Sequence, residues 1–427
     1  MQSNLLYNVD QRPPLGKSVL LSFQHVFAMF GATILVPLVV GLPVSVALFC
    51  SGLGTLIYQV LTRFKVPVYL GSSFAYIAAM QYAMKAMGGS VDASQTGIIL
   101  IGCIYLLVAF ILHFTGTGWL DKLLPPIVIG PMIIVIGLGL SPTAVKQAGF
   151  VPGGDPINML VAVVTFLVTA FVSTKAKGVF KIIPFLIGIC FGYVFSMVLH
   201  LVDYSGIIET FQKGIFHLPD FYLPFATRHF NRYNFYFGPE ALAILPVAFV
   251  TLSEHIGDHT VLSKICGRNF LKDPGLSKTI AGDGLATAVS AFLGGPANTT
   301  YGENTGVVSL TGVASTSVIS GAAIIAIILS FFAPVQAVIM SIPEPVLGGM
   351  SLLLYGAIAS NGLRVLIDNQ VDFSSQRNLI IASAMMVLGL GGAVYPISQL
   401  ANLSGTALSA VVGILLNLIL PKDAKAK

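Results

Sequence analysis

Long, nearly unbroken apolar runs constrain this chain most. Stretches near 18–40, 44–62, 95–114, 125–141, 156–174, 181–203, 239–262, 276–293, 315–340, 344–364, 376–397 and 403–420 are rich in Leu, Ile, Val, Phe and Ala and carry few charges. A helix of about 20 such residues crosses the hydrocarbon layer of a bilayer. Only 9% of the 427 residues are charged and 55% are hydrophobic, whereas soluble domains are about 25% charged. So few charges could not cover a soluble protein of this size. The expected class is an all-α polytopic membrane protein embedded in the lipid bilayer. A transmembrane β-barrel would instead alternate polar and apolar residues in segments of about ten.

The net charge of +5 does not indicate a nucleic-acid partner, because the basic residues sit in short loops. Cys50, Cys103, Cys190 and Cys266 are scattered without metal or redox spacing and read as packing residues. The first residues lack the basic, apolar and small-residue order of a signal peptide, so the first apolar run is expected to stay as a span. No cofactor is implied.

Two further segments, near 67–87 and 296–312, are apolar but interrupted by Gly, Pro, Ser and Thr. Counting both as broken crossings gives fourteen, with both termini on the cytoplasmic side. The inside segments then hold 17 of the 22 basic residues; only Lys85, Lys146, Lys213, Arg228 and Arg232 fall outside. Basic residues favour cytoplasmic loops, so the count agrees with charge placement. Dropping both broken segments would leave the ends unflipped, so charge alone does not exclude twelve crossings.

The longest polar stretch, 204–238, follows the seventh crossing and reads as an ordered external loop. It divides the chain into a cytoplasmic N-terminus (1–17), a first repeat (18–203), the loop (204–238), a second repeat (239–420) and a cytoplasmic tail (421–427). Seven crossings per half make the halves inverted. Each half carries its broken segment third, and Gly71 and Gly302 are 231 residues apart, near half the chain. Paired breaks at matching places in inverted halves point to a secondary-transporter binding site.

Broken backbone within a membrane is tolerated where it lines a cavity, and it exposes N–H groups at helix starts. Gly71-Ser72-Ser73-Phe74 and Tyr301-Gly302-Glu303-Asn304 would supply them, with Phe74, Tyr301 and Tyr355 offering flat faces. In SEHIGDH, Glu254 and Asp258 are four apart and share a helix face; His255 and His259 share an adjacent one. Three carboxylates (Glu254, Asp258 and Glu303) in a low-dielectric cavity cannot all be ionised cheaply, which suits proton binding. The implied ligand is small and flat, with alternating N–H and C=O groups, as in a nucleobase.

Several residues have plainer readings. Asp258 lies nearer the cytoplasmic end of its helix. Asp283 could cap a helix or touch the pathway. His25 reads as an interhelical hydrogen-bonding residue, and Gly31 and Ala32 mark close packing. Asn298-Thr299-Thr300 matches a glycosylation acceptor in the wrong context. His255 and His259 have zinc-ligand spacing, but Glu254 precedes the first histidine instead of following it, so an intramembrane metalloprotease is disfavoured.

The stretches QHVFAMFGATILVP (Gln24 to Pro37), PVYLGSSFAYI (Pro67 to Ile77), SEHIGD (Ser253 to Asp258), NTTYGENTGV (Asn298 to Val307) and SLLLYG (Ser351 to Gly356) resemble the nucleobase/ascorbate transporter family, and within it the bacterial uracil permeases. The resemblance covers nearly the whole chain. It implies segments 1–4 and 8–11 as a core domain and 5–7 and 12–14 as a gate domain, with short strands in segments 3 and 10. It implies proton symport of uracil, often by a homodimer. Glu254 and Glu303 match the acids that bind the base, Phe74 and Gly302 match backbone contacts, and Ala32, Tyr301 and Tyr355 match pocket walls. Ser73, His25 and Asn304 sit beside them, and Glu303, Asp258 and Glu254 are the proton-coupling candidates. Related uracil permeases often carry His where this chain has Asp258, an acid more like that of purine carriers. A xanthine or purine symporter is therefore the alternative substrate reading, and an anion transporter of the same architecture a more distant one.

Overall fold

The computed structural model describes residues 5–116, 118–181, 183–225, 227–396 and 402–421. Residues 1–4 of the N-terminus, residue 397 at the end of the apolar run 376–397 with 398–401 after it, and the tail beyond 421 lie outside the described residues. The first half runs α1 (Leu15–Val40), α2 (Val44–Leu61), β1 (Leu70–Ser72), a short turn of 3-10 helix at Phe74–Tyr76, α3 (Ile77–Ala86), α4 (Asp92–Thr115), α5 (Gly118–Leu123), α6 (Pro126–Gly139), α7 (Ser141–Gln147), α8 (Pro156–Lys175) and α9 (Pro184–Val198). The loop between the halves holds α10 (Ser205–Lys213) and the parallel pair β2 (Tyr222–Leu223) and β3 (Asn231–Arg232). The second half runs α11 (Pro239–Leu242), α12 (Val247–Cys266), α13 (Leu276–Phe292), β4 (Asn298–Thr300), α14 (Gly302–Thr311), α15 (Thr316–Ser330), α16 (Ala333–Met340), α17 (Glu344–Asp368), α18 (Gln376–Leu390), β5 (Val394–Pro396), β6 (Asn402–Ser404) and α19 (Gly405–Ile419). Among the described residues, seven helices are long and apolar enough to cross a membrane, and four shorter ones are apolar.

Local chemistry sets these boundaries. Asp155 caps α8 by accepting from the Ile157 N–H at 2.9 Å, and Pro156 begins the helix where no donor is needed. The apolar run 315–340 is two helices, not one. Pro334 lacks an N–H and cannot continue α15, so the chain bends at Phe331-Phe332 and restarts at Ala333. The run 239–262 is also divided, by a turn at 243–246 that ends at Pro246 before the helix starts at Val247. The eighteenth helix stops at Leu390, where Gly391 and Gly392 follow.

Small residues allow close helix crossings. Gly102 on α4 meets Gly284 and Ala288 on α13, and Gly52 on α2 meets Ala323 on α15. Elsewhere Gly137 on α6 meets Tyr355 and Ala359 on α17. α1, α2, α4, α13 and α15 pack together in this way, as do α6, α8, α17, α18 and α19. The loop of 204–238 is ordered: Tyr233 is fully buried, the Tyr236 N–H donates to Thr96 Oγ1 at 2.9 Å, and the Tyr222 N–H donates to the Leu293 carbonyl at 3.2 Å.

Candidate substrate site

The two broken segments meet. β1 and β4 pair antiparallel, with Leu70 opposite Thr300, Gly71 opposite Thr299 and Ser72 opposite Asn298. Two bonds extend the ladder: the Ser73 N–H donates to the Ala297 carbonyl at 2.8 Å, and the Tyr301 N–H to the Tyr69 carbonyl at 3.0 Å. Each strand leads directly into a helix start, at Phe74 and at Gly302. The free N–H groups of two helix N-termini are thereby brought side by side.

Irregular backbone in a membrane needs partners, and neighbouring helices supply them. On α2, Thr55 Oγ1 accepts from the Leu70 N–H at 2.9 Å, and Gln59 Nε2 donates to the Val66 and Val68 carbonyls at 2.9 and 3.1 Å. On α13, Thr287 Oγ1 donates to the Asn298 carbonyl at 3.0 Å and Ser290 Oγ to the Pro296 carbonyl at 2.5 Å. The Asn298 amide donates to the Cys50 carbonyl at 3.1 Å and is 3% exposed, so this glycosylation-like triplet has a structural occupation.

Tyr301 locks the two breaks. Its hydroxyl donates to the Ser72 carbonyl at 3.0 Å and accepts from Thr33 Oγ1 at 3.2 Å. Ala32, Tyr301 and Phe74 belong to one apolar cluster with Tyr69 and Met29. The rings of Phe74 and Tyr355 lie edge to face with centroids 6.4 Å apart. Gly302 is exposed, and Glu303 in the first turn of α14 is half-buried. Glu303 faces a cleft bounded by Phe27 and Ala28 of α1 and by Pro184, Phe185 and Leu186 of α9.

Asp258 enters through β4. Thr300 Oγ1 donates to Asp258 Oδ2 at 2.5 Å, which ties Asp258 to the strand pair. Glu254 is half-buried one turn away on α12. His25 has the structural part expected of it: Asn304 Nδ2 contacts its Nδ1 at 3.1 Å and donates to its carbonyl at 3.0 Å, joining α1 to α14.

Three buried polar atoms near the breaks have no partner among the described residues: Ser73 Oγ, Thr299 Oγ1 and Asn304 Oδ1. The two histidines do not present a metal pair. His255 Nδ1 contacts Asp283 Oδ2 at 2.8 Å, while His259 is engaged on both sides, by Tyr58 Oη at 2.5 Å and by the His255 carbonyl at 2.7 Å. Asp283 sits in the middle of α13 and caps nothing. Sequence reasoning passed over Thr33, Thr55, Gln59, Thr251 and the specific role of Thr300. Thr55 and Gln59, four apart in a mainly apolar helix, carry a readable signal.

Comparison with known proteins agrees with this architecture. The Permease family profile matches residues 16–398. A uracil permease of Bacillus caldolyticus is 51% identical over 98% of this chain and 95% of its own length. One from Escherichia coli K12 is 41% identical over 96% and 93%. Among solved structures, the transmembrane domain of the cyanobacterial bicarbonate transporter BicA superposes with a TM-score of 0.64 at 14% identity, covering 96% of this chain and 99% of that one. Murine Slc26a9 in its inward-facing state reaches 0.70 at 11% identity, covering 96% and 69%. At such identities these two structures bear on the fold alone. The chain is a multi-pass membrane permease and belongs to the Permease family, alongside the uracil permeases.

Proposed function

We propose that this protein imports uracil by proton symport. The observation that supports the reading is the antiparallel pairing of β1 with β4, which joins two helix starts, one of them carrying Glu303, and brings Asp258 of α12 to Thr300, with Glu254 one turn away on that helix. The N–H groups at Phe74 and Gly302 suit the carbonyl oxygens of a pyrimidine base, and carboxylates suit its N–H groups. Phe74, Tyr301, Tyr355 and Ala32 form the walls, and the uncommitted Ser73 Oγ and Asn304 Oδ1 lie at the margin.

A proton from outside neutralises one acid, with Glu303 and Asp258 the first candidates, because two adjacent carboxylates in low dielectric repel each other. Uracil then bridges Glu254 and Glu303. Fourteen segments in two inverted repeats of seven, with both termini cytoplasmic in the cell membrane, form a core from segments 1–4 and 8–11 and a gate from 5–7 and 12–14. Relative movement of core and gate gives alternating access, and a homodimer would brace the gate. The permease relatives named for uracil support the substrate. Xanthine is the second reading, on account of the acid at Asp258.

The test is uptake of labelled uracil into proteoliposomes under an imposed proton gradient, with xanthine, hypoxanthine and ascorbate as competitors. Gradient-driven uptake displaced by unlabelled uracil alone is expected. Uptake indifferent to the gradient would remove proton symport, and preferential displacement by xanthine would reassign the substrate.

A further inference from the structure

Thr251, His255 and His259 recur every four residues on α12, and all three are at most 1% exposed. Each is tied to a different element. Thr251 Oγ1 meets Tyr76 Oη at 2.7 Å and accepts from Tyr105 Oη at 2.5 Å. His255 meets Asp283 of α13, and His259 meets Tyr58 of α2. The two imidazoles stack with centroids 4.0 Å apart. Glu254 and Asp258 lie on the adjoining face, since each residue turns a helix by about 100°. One stripe of α12 is therefore anchored from behind while the next presents carboxylates.

The Thr251 node reaches furthest. Tyr76 closes the 3-10 turn that begins at Phe74, and Tyr105 belongs to α4. Thr251 lies three residues before Glu254. A hydroxyl has one donor and two acceptor positions. Thr251 can take both tyrosine protons and turn its own toward the Ala248 carbonyl at 3.3 Å. Both phenol groups are buried, at 1% and 2% exposure, so neither has water as a substitute partner.

We propose that Thr251, through Tyr76 and Tyr105, is a positioning residue for substrate binding: it fixes α12 against the Phe74 turn so that Glu254 and the Phe74 backbone meet one ligand. This rests on the reading of Glu254 and Phe74 given above. Thr251→Val keeps the shape of threonine but removes the acceptor that the two buried phenol hydroxyls share, leaving them to pair with each other and untying both from α12.

The experiment uses full-length protein in detergent and in proteoliposomes, with uracil as the probe. Thr251→Val is expected to weaken uracil binding in calorimetry about tenfold, the scale of a lost buried hydrogen bond. In uptake, KM should rise while the maximal rate holds. Thr251→Ser should restore both, and Tyr105→Phe should fall between. Parent-like affinity in Thr251→Val, whatever its unfolding temperature, overturns the proposal and leaves the node a packing feature. Should Thr251→Val not be isolated folded, Tyr76→Phe makes the same comparison, and parent-like affinity there is equally fatal. Glu254→Gln separates the two levels. If it loses binding while Thr251→Val does not, only the positioning role fails; if it too binds normally, the underlying site assignment fails.

Discussion

Gly71 packs against the Tyr301 ring with no room for a side chain. A Cβ built there would lie 2.8 Å from the Tyr301 phenol oxygen and nearer still to the ring carbons. Carbon atoms rest at about 3.5–4.0 Å, so Gly71→Ala forces the ring to retreat by roughly an ångström. The ring is held at its far end by Ser72 and Thr33, at 3.0 and 3.2 Å, and at its backbone by the Tyr69 carbonyl at 3.0 Å. Overpacking costs about 1–3 kcal/mol and a lost hydrogen bond about 1 kcal/mol, so a total near 2–4 kcal/mol is expected. If half of that strain appears in the Tyr301-Gly302-Glu303 turn, uracil binding weakens about 5- to 30-fold. Calorimetry and thermal unfolding on the purified protein read the two effects. Gly302→Ala is the contrast, because no atom lies within 4 Å of its added methyl. That variant should keep the parent's unfolding temperature and still bind uracil poorly, because the methyl enters the ligand space. Gly71→Ala with the parent's stability and affinity would refute the reasoning.

Three further outcomes follow from the same geometry. Glu303→Gln keeps the shape of the side chain without the ionisable group, and proteoliposome uptake should lose its stimulation by an inward proton gradient; retained stimulation would remove Glu303 from coupling. Thr300→Val deprives Asp258 of its donor and should lower unfolding free energy by about 1.5–3 kcal/mol, with Thr300→Ser restoring it; an unchanged unfolding curve would mean that the 2.5 Å bond contributes nothing. Lys65 pairs with Asp273 at 2.6 Å between two loops and holds that carboxyl below its ordinary 3.8. A depressed carboxyl stabilises above that value and loses its contribution only as pH falls below it, so Lys65→Met should leave the uptake profile over about pH 5–8 superimposable on the parent's; a displaced profile would implicate the loop pair in coupling.

What the sequence disclosed, and what it hid, follows from the range of each interaction. Apolar length and the Gly, Pro and Thr breaks are local, so the apolar helices and both interrupted segments could be read directly, though not how many of the helices cross. Glu254, Asp258 and Glu303 stood out because carboxylates are rare in apolar surroundings. The pairing of β1 with β4 could be anticipated only from symmetry and resemblance, because its bonds join residues more than 200 apart. The division of 315–340 was missed although Pro334 announced it, since hydropathy continues through a bend that geometry does not allow. Thr251 looked like any helical threonine. Its importance comes from two tyrosines on other segments, which no single stretch displays. Asp283 was open between cap and pathway, and the structure gives it a third position, beside His255 within the helix packing.

The strand pairing also limits how such a protein can open. Separating the two breaks would rupture the β1–β4 ladder and its two flanking bonds, together with the contacts of Tyr301. In a medium that offers no replacement partners each of those groups is costly to expose. The breaks should therefore move as one body, and the yielding surface should lie elsewhere. On the proposed alternating access the cleft at Glu303 is the candidate surface, with α1 and α14 as one wall and α9 as the other. Across it, a Cβ at Gly31 would stand 3.4 Å from the Phe185 Cβ. Disulfides need about 3.5–4.5 Å between these atoms, so a cysteine pair at 31 and 185 can close with little adjustment. Oxidised Gly31→Cys/Phe185→Cys protein should bind uracil yet fail to carry it, and reductant should restore uptake, while each single cysteine variant responds to neither treatment. Transport at the parent's rate with the disulfide verified by mass would mean that α1 and α9 do not move apart. The alternating surface would then have to be sought on the α17 side of the site, where Tyr355 meets Phe74.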